Sequence, residues 1–202
     1  MQRGIDSYQA GRFAEAERSF RTFLETIPDD ADAHHLLGVV LYQTGRHEDA
    51  VAHIRKSIDF APENASFHNN LGNVLNDLGR TDEAFDCFTR AVAIDPGVAE
   101  AHNNLGNLLK DRARADEAIQ HFEHALALNP DYAEAHNNLG NLLAGEGRLD
   151  DAVACFQKTL AIRPDFANAH FNHANVLVEM NRLDAAAAGY HEALKARPDF
   201  AH

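Results

Sequence analysis

Two cysteines in 202 residues, Cys87 and Cys155, are too few for a disulfide framework. Basic residues are scarce too: 18 Lys and Arg stand against 31 Asp and Glu, a formal net charge of -13. That sign excludes nucleic acid and anionic membrane surfaces as natural main partners and leaves basic or neutral ones. No apolar run approaches the ~20 residues needed to span a bilayer. The start, MQRGIDSYQAGRF, lacks the apolar stretch of a secretory signal. These absences predict a soluble, cytoplasmic protein. Hydrophobic residues still make up 45% of the chain, enough for a sizeable core.

Proline is also sparse, but its six copies are regularly placed. Pro28, Pro62, Pro96, Pro130, Pro164 and Pro198 stand 34 residues apart, and Arg12, Arg46, Arg80, Arg114, Arg148 and Arg182 keep the same step. A fixed period in this range marks stacked repeats. In the frame 99–132, Ala101, Leu105 and Leu109 fall at i, i+4 and i+8, with Leu108 beside them. Ala118, Phe122, Ala125 and Leu126 then fall at i, i+4, i+7 and i+8. Both are amphipathic helix patterns. The break between them falls at Gly45, Gly79 and Gly147, at Ala113 and at Asn181, and proline ends the second helix. Each frame therefore reads as helix–turn–helix, and helix pairs that cannot bury their stripes alone must stack.

Leu105-Gly106, Ala118, Phe122 and Pro130 resemble the tetratricopeptide repeat (TPR) signature, in phase along nearly the whole chain. The resemblance implies an all-α fold, a right-handed TPR superhelix of stacked antiparallel helix pairs. The frames are a partial repeat at 1–30, full repeats at 31–64, 65–98, 99–132, 133–166 and 167–200, and the start of a truncated one at 201–202. The fourth place, usually Trp or Tyr in the family, holds His34, His68, His102, His136 and His170. These are expected to substitute for the aromatic packing residue. Gly38, Gly72, Gly106 and Gly140 fall where the first helix must approach its partner closely, and Ala174 takes that place in the fifth frame. There His173 also replaces a core leucine, so this frame is expected to pack less well.

Asparagine is a poor helix former, yet AHNNLGNLL occurs at 101–109 and 135–143, and FHNNLGNVL at 67–75. With the leucines on the buried side, the asparagines lie opposite. Asn70, Asn104, Asn138 and Asn172 form one row, Asn73, Asn107, Asn141 and Asn175 a second, and Asn69, Asn103 and Asn137 a partial third. The first frame breaks the pattern with His35, Leu36 and Val39. In TPR arrays the first helices line the inner wall, so the resemblance places these rows in a groove. An uncharged amide offers a donor and an acceptor, matching the N–H and C=O of a peptide backbone. Helices 8–10 Å apart and an extended chain rising ~3.3 Å per residue give about three ligand residues per repeat. The repeats also resemble those of O-GlcNAc transferase, whose groove carries an asparagine ladder. The expected partner is a protein or peptide in extended conformation. Two other readings of the amides stay open: bonding between repeats that fixes the stack, and inheritance by duplication.

The remaining clusters carry less. The five fourth-place histidines are one repeat apart, too far to share an ion, and His121/His124 and His170/His173 lack an evident third ligand. Cys87 and Cys155 read as small helix residues. Asp82-Glu83, Asp116-Glu117 and Asp150-Asp151 fall in the first turn of second helices, where they favour the positive helix end. No metal, cofactor or catalytic centre is implied. Near the C-terminus Tyr190, Ala193, Leu194 and Phe200 keep repeat character with nothing to cover them, while Arg3 and Ser7 occupy core-leucine places. The chain is expected to continue beyond His202 in nature, or its uncovered end to dock onto another copy. The expected function is a non-catalytic scaffold that binds extended polypeptide segments; the alternatives are the substrate-recruiting region of a larger enzyme such as a glycosyltransferase, and a module that self-assembles end to end.

Overall fold

A computed structural model describes residues 1–198. These residues form twelve α-helices and no strand: α1 Gln2–Gln9, α2 Phe13–Thr26, α3 Ala31–Gln43, α4 His47–Phe60, α5 Ala65–Asp77, α6 Thr81–Ile94, α7 Ala99–Asp111, α8 Ala115–Leu128, α9 Ala133–Gly145, α10 Leu149–Ile162, α11 Ala167–Glu179 and α12 Leu183–Ala196. From α3 onward, each odd-numbered helix begins 34 residues after the previous one. Phe200 and the two residues after it lie outside the described residues.

The helix ends follow from the periodic residues. Residues preceding each proline, from Ile27 to Arg197, have φ between -130° and -143°. Proline's ring pushes its predecessor out of the helical region, so each even-numbered helix stops there. The turns inside the pairs need the left-handed region: Gly45, Gly79 and Gly147 have φ of 74° to 78°, while Ala113 and Asn181 reach 57°. In each such turn the following arginine N–H bonds back to a carbonyl of the preceding helix, as Arg46 N to Leu41 O at 2.9 Å. The side chains of Arg46, Arg80, Arg114 and Arg148 then pair with the acid three residues on, as in Arg80–Glu83 and Arg114–Glu117. These pairs are solvent-exposed and add little stability.

The chain divides into two compact units, Met1–Asn104 and Leu105–His202, with the division inside α7. In the first unit α1 to α6 pack each on the next, and α3 also meets α5; in the second the same holds from α8 to α12, with α9 meeting α11. Close approach within a pair depends on a glycine facing a large side chain, Ile54 at Gly38 and a phenylalanine ring at Gly4, Gly72, Gly106 and Gly140. A Cβ on Gly72 would lie 2.5 Å from Phe88 Cε1, and Phe88 is 2% exposed, so no side chain fits there. The fifth frame inverts this solution: Ala174 faces Gly189, where an added Cβ would sit 3.0 Å from the alanine's. His173 is half-buried with its ring tilted against Phe156, and burial lowers its pKa.

The fourth-place histidines do more than fill space. His34, His68, His102, His136 and His170 each bring Nε2 within 2.8–3.2 Å of the carbonyl oxygen of the proline six residues earlier. A carbonyl only accepts, so Nε2 carries the proton. The bond ties the start of each odd-numbered helix to the loop that ends the helix before it. At the C-terminal end, Ala193 is 1% exposed and Tyr190 donates to Asn175 Oδ1 at 2.7 Å, so of the three described residues expected to lie open only Leu194, 41% exposed, does. At the other end Ser7 is buried in its core-leucine place and Arg3 is exposed.

Candidate functional site

The eight asparagines of the two main rows share one environment. Asn70, Asn104, Asn138 and Asn172 are half-buried, as are Asn73, Asn107, Asn141 and Asn175. The partial third row differs: Asn69, Asn103 and Asn137 are only 5–7% exposed. A buried carboxamide needs partners, and within each unit the next odd-numbered helix supplies one, to Asn69 in the first and to Asn137 in the second.

In the first unit Asn104 Nδ2 donates to Asn69 Oδ1 at 3.2 Å and to Asn73 Oδ1 at 2.9 Å, both across from α7 to α5. Asn103 Nδ2 approaches Asn104 Oδ1 at 3.5 Å. One helix earlier the same relation recurs with histidine as acceptor: Asn70 Nδ2 lies 2.8 Å from His35 Nε2. The amide nitrogen can only donate, so His35 is protonated on Nδ1. Its ring stacks on Phe67 at a centroid distance of 4.4 Å, and burial holds its pKa down at about 4, with Asp32 acting weakly the other way.

In the second unit Asn172 Nδ2 points to Asn137 Oδ1 at 3.5 Å, and Asn175 Oδ1 accepts the Tyr190 hydroxyl. The rule is common to both units. An acceptor at the fifth place of one frame meets the Asn donor at the sixth place of the next, 35 residues on. Sequence reading found the asparagines but not this division of labour. The signal was present, since the inner place is filled by Asn or His in the first four frames and the bonded places keep one fixed offset.

Other polar groups do not converge. Among the described residues, no cluster of three or more His, Cys, Asp or Glu could hold a metal ion. His34 Nδ1 and His53 Nδ1 lie 3.0 Å apart. Since His34 carries its proton on Nε2, His53 donates. The His53 pKa is lowered to about 4 by burial first, then by His34, Arg21 and Lys56. Cys87 and Cys155 are half-buried thiols pushed up to about 11 by burial, so neither is a ready thiolate. No described helix is long and apolar enough to cross a membrane.

The chain is similar in structure to several solved proteins. PilF of Pseudomonas aeruginosa superimposes with a TM-score of 0.88 at 24% identity, over 98% of this chain and 90% of that one. YrrB, described as a TPR protein with an unusual peptide-binding site, gives 0.72 at 24% identity over 92% and 95%. MamA gives 0.70 at 26% identity over 80% and 95%. No curated protein sequence matches the chain at a significant level. Tetratricopeptide repeat profiles match residues 1–65, 63–131, 97–165 and 143–202, and the chain therefore belongs to the tetratricopeptide repeat family.

Proposed function

We propose that the chain is a non-catalytic interaction scaffold whose asparagine rows, in each unit, hold extended polypeptide segments by their backbone. The observation that carries this reading is the pre-orientation of half-buried amides by a fixed partner on the preceding odd-numbered helix. Asn70 uses one of its two N–H groups on His35, and Asn172 uses one on Asn137. Each keeps a further donor and acceptor position, which suit the alternating N–H and C=O of a peptide, whereas Asn104, with both N–H groups spent on Asn69 and Asn73, offers its carbonyl oxygen. The ligand contacts are assigned to Asn70, Asn73 and Asn104 in the first unit, and to Asn107, Asn138, Asn141, Asn172 and Asn175 in the second. Asn69, Asn103 and Asn137 orient them from beneath. Each contact contributes ~0.5–1.5 kcal/mol net, so affinity comes from repetition. YrrB is a precedent for peptide recognition on this fold, but the case for this chain rests on its own amides.

The inter-helix bonds also favour a second reading, in which the amides serve only to hold repeats in register. Binding to a diverse array of unstructured peptides separates the two. The parent is compared with a variant carrying Asn70→Ala, Asn104→Ala, Asn138→Ala and Asn172→Ala, after helicity and melting are matched. Broad binding in the parent that is lost in the folded variant supports the scaffold. Equal binding, or none in either protein, leaves the amides as stacking residues.

A further inference from the structure

Within the unit Met1–Asn104 the amide rows stop short of the N-terminal helices. The places that Asn70 and Asn73 fill in α5 hold Leu36 and Val39 in α3, one period earlier. In α1 the place of Val39 is held by Ile5, and the place of Tyr42 by Tyr8. These aliphatic and aromatic side chains are half-buried, whereas Leu37, Val40 and Leu41 on the other side of α3 are 0% exposed. α3 is in fact the least amphipathic of the described helices. A helix with apolar residues on two sides is normally covered on both, and here Leu36 and Val39 are only partly covered.

The electrostatics narrow the occupant. α1, α3 and α5 carry Asp6, Asp32 and Asp77, the last accepting from the Tyr42 hydroxyl, against a single basic side chain, Arg3. Acidic ligands are disfavoured on such a face and basic ones are not. Spacing narrows it further. Packed helices lie about 8–10 Å apart, and an extended polyproline-type chain has three residues per turn at 3.1 Å each. Side chains three positions apart thus fall on one side of the ligand about 9 Å from one another, matching successive helices. Building on the reading above, we infer that this end is a side-chain-selective subsite: it takes the part of an extended peptide bearing two bulky apolar residues three positions apart, beside a basic residue. The apolar pair rests on Ile5 and Tyr8 of α1 and on Leu36 and Val39 of α3, and the following backbone runs onto Asn70, Asn73 and Asn104. One end of the ligand is read for sequence, and the rest is held for its backbone.

Fluorescence anisotropy with short labelled peptides tests this on the intact chain. One peptide carries two leucines three positions apart in a Ser/Thr/Gln background with a flanking lysine. A second has serine for both leucines, and a third has glutamate for the lysine. The first is expected to bind the parent at least about tenfold more tightly than the second, from burial of the leucines, and more tightly than the third. The double variant Leu36→Asn, Val39→Asn, which copies the α5 pattern, is expected to bind the first two alike. Equal affinity of the parent for those two, with binding still dependent on Asn70 and Asn104, overturns the subsite and leaves backbone reading intact. No binding of any peptide overturns both. A parent that sediments as a dimer, and becomes monomeric in the double variant with peptide affinities unchanged, assigns the face to a second copy and overturns the subsite.

Discussion

Asn104 donates to Asn69 across 3.2 Å, and the pair is set 35 residues apart. The acceptor is 7% exposed while the donor is half-buried. One asparagine therefore acts as the seat of the other. The same offset joins Asn70 to His35 and Asn172 to Asn137.

Replacing the seat should hurt in two ways. Asn69→Leu removes the acceptor at 7% exposure and is expected to cost about 1–3 kcal/mol, because the Asn104 amide loses a partner in a poorly hydrated position. Peptide affinity should fall as well, although residue 69 touches no ligand. Chemical denaturation and anisotropy on the same variant check this. Unchanged affinity in a folded variant would show that Asn104 needs no orienting.

One turn is built from the wrong residue. Ala113 sits at φ 57° in the place that Gly45, Gly79 and Gly147 fill at 74° to 78°. A β-carbon in the left-handed region costs roughly 1–2 kcal/mol, part of which glycine loses again through its freer unfolded chain. Ala113→Gly is expected to stabilise the chain by about 0.5–1 kcal/mol. A raised denaturation midpoint with an unchanged slope would agree, and a lowered one would not.

The histidine-to-proline tie predicts a cost for a shape-filling but apolar replacement. His68→Leu leaves the Pro62 carbonyl without the donor now 2.8 Å away. The loss expected is about 1 kcal/mol, whereas His68→Gln should recover part of it. If leucine is neutral, the histidine is only a packing residue.

Acid should weaken the fold before its carboxylates titrate. His35 and His53 have folded pKa values lowered to about 4, chiefly by burial. Unfolded histidine titrates near 6.5. Between those values the unfolded chain binds protons that the folded chain refuses, so stability is full above about 6.5, falls as pH falls, and levels off near 4. Each ring is partly solvated, which reduces its effect to on the order of 1 kcal/mol. Urea midpoints between pH 7 and pH 5 should decline, and less steeply in His35→Gln. A flat profile over that window would contradict the assignment.

Much of this was legible in the sequence because stacked repeats write each structural demand several times. Period, helix pairing, the proline stops and the glycine approaches repeat in phase, and the helices lie where those residues set them. The left-handed turn at Ala113 was legible as a position but not as strain, since only the backbone shows its φ. The burial of Asn69, Asn103 and Asn137 was not readable, because facing away from one helix partner does not reveal how closely the next repeat closes over a residue. The sequence presents the fourth-place histidines as packing residues. Their bond to proline needs the three-dimensional return of the loop, though both residues keep the same period.

The central claim is that the rows read backbone, and replacing one ligand peptide bond at a time by an ester tests it most directly. An ester keeps the side chains but removes the N–H donor and weakens the carbonyl acceptor. Measured against a peptide bound by the parent chain, esters placed opposite the asparagines should each weaken binding by about three- to tenfold. Neighbouring serine-to-threonine changes should leave it unaltered. Ester peptides that bind as well as the amide parent, with affinity moving instead on side-chain changes along the whole ligand, would contradict backbone reading.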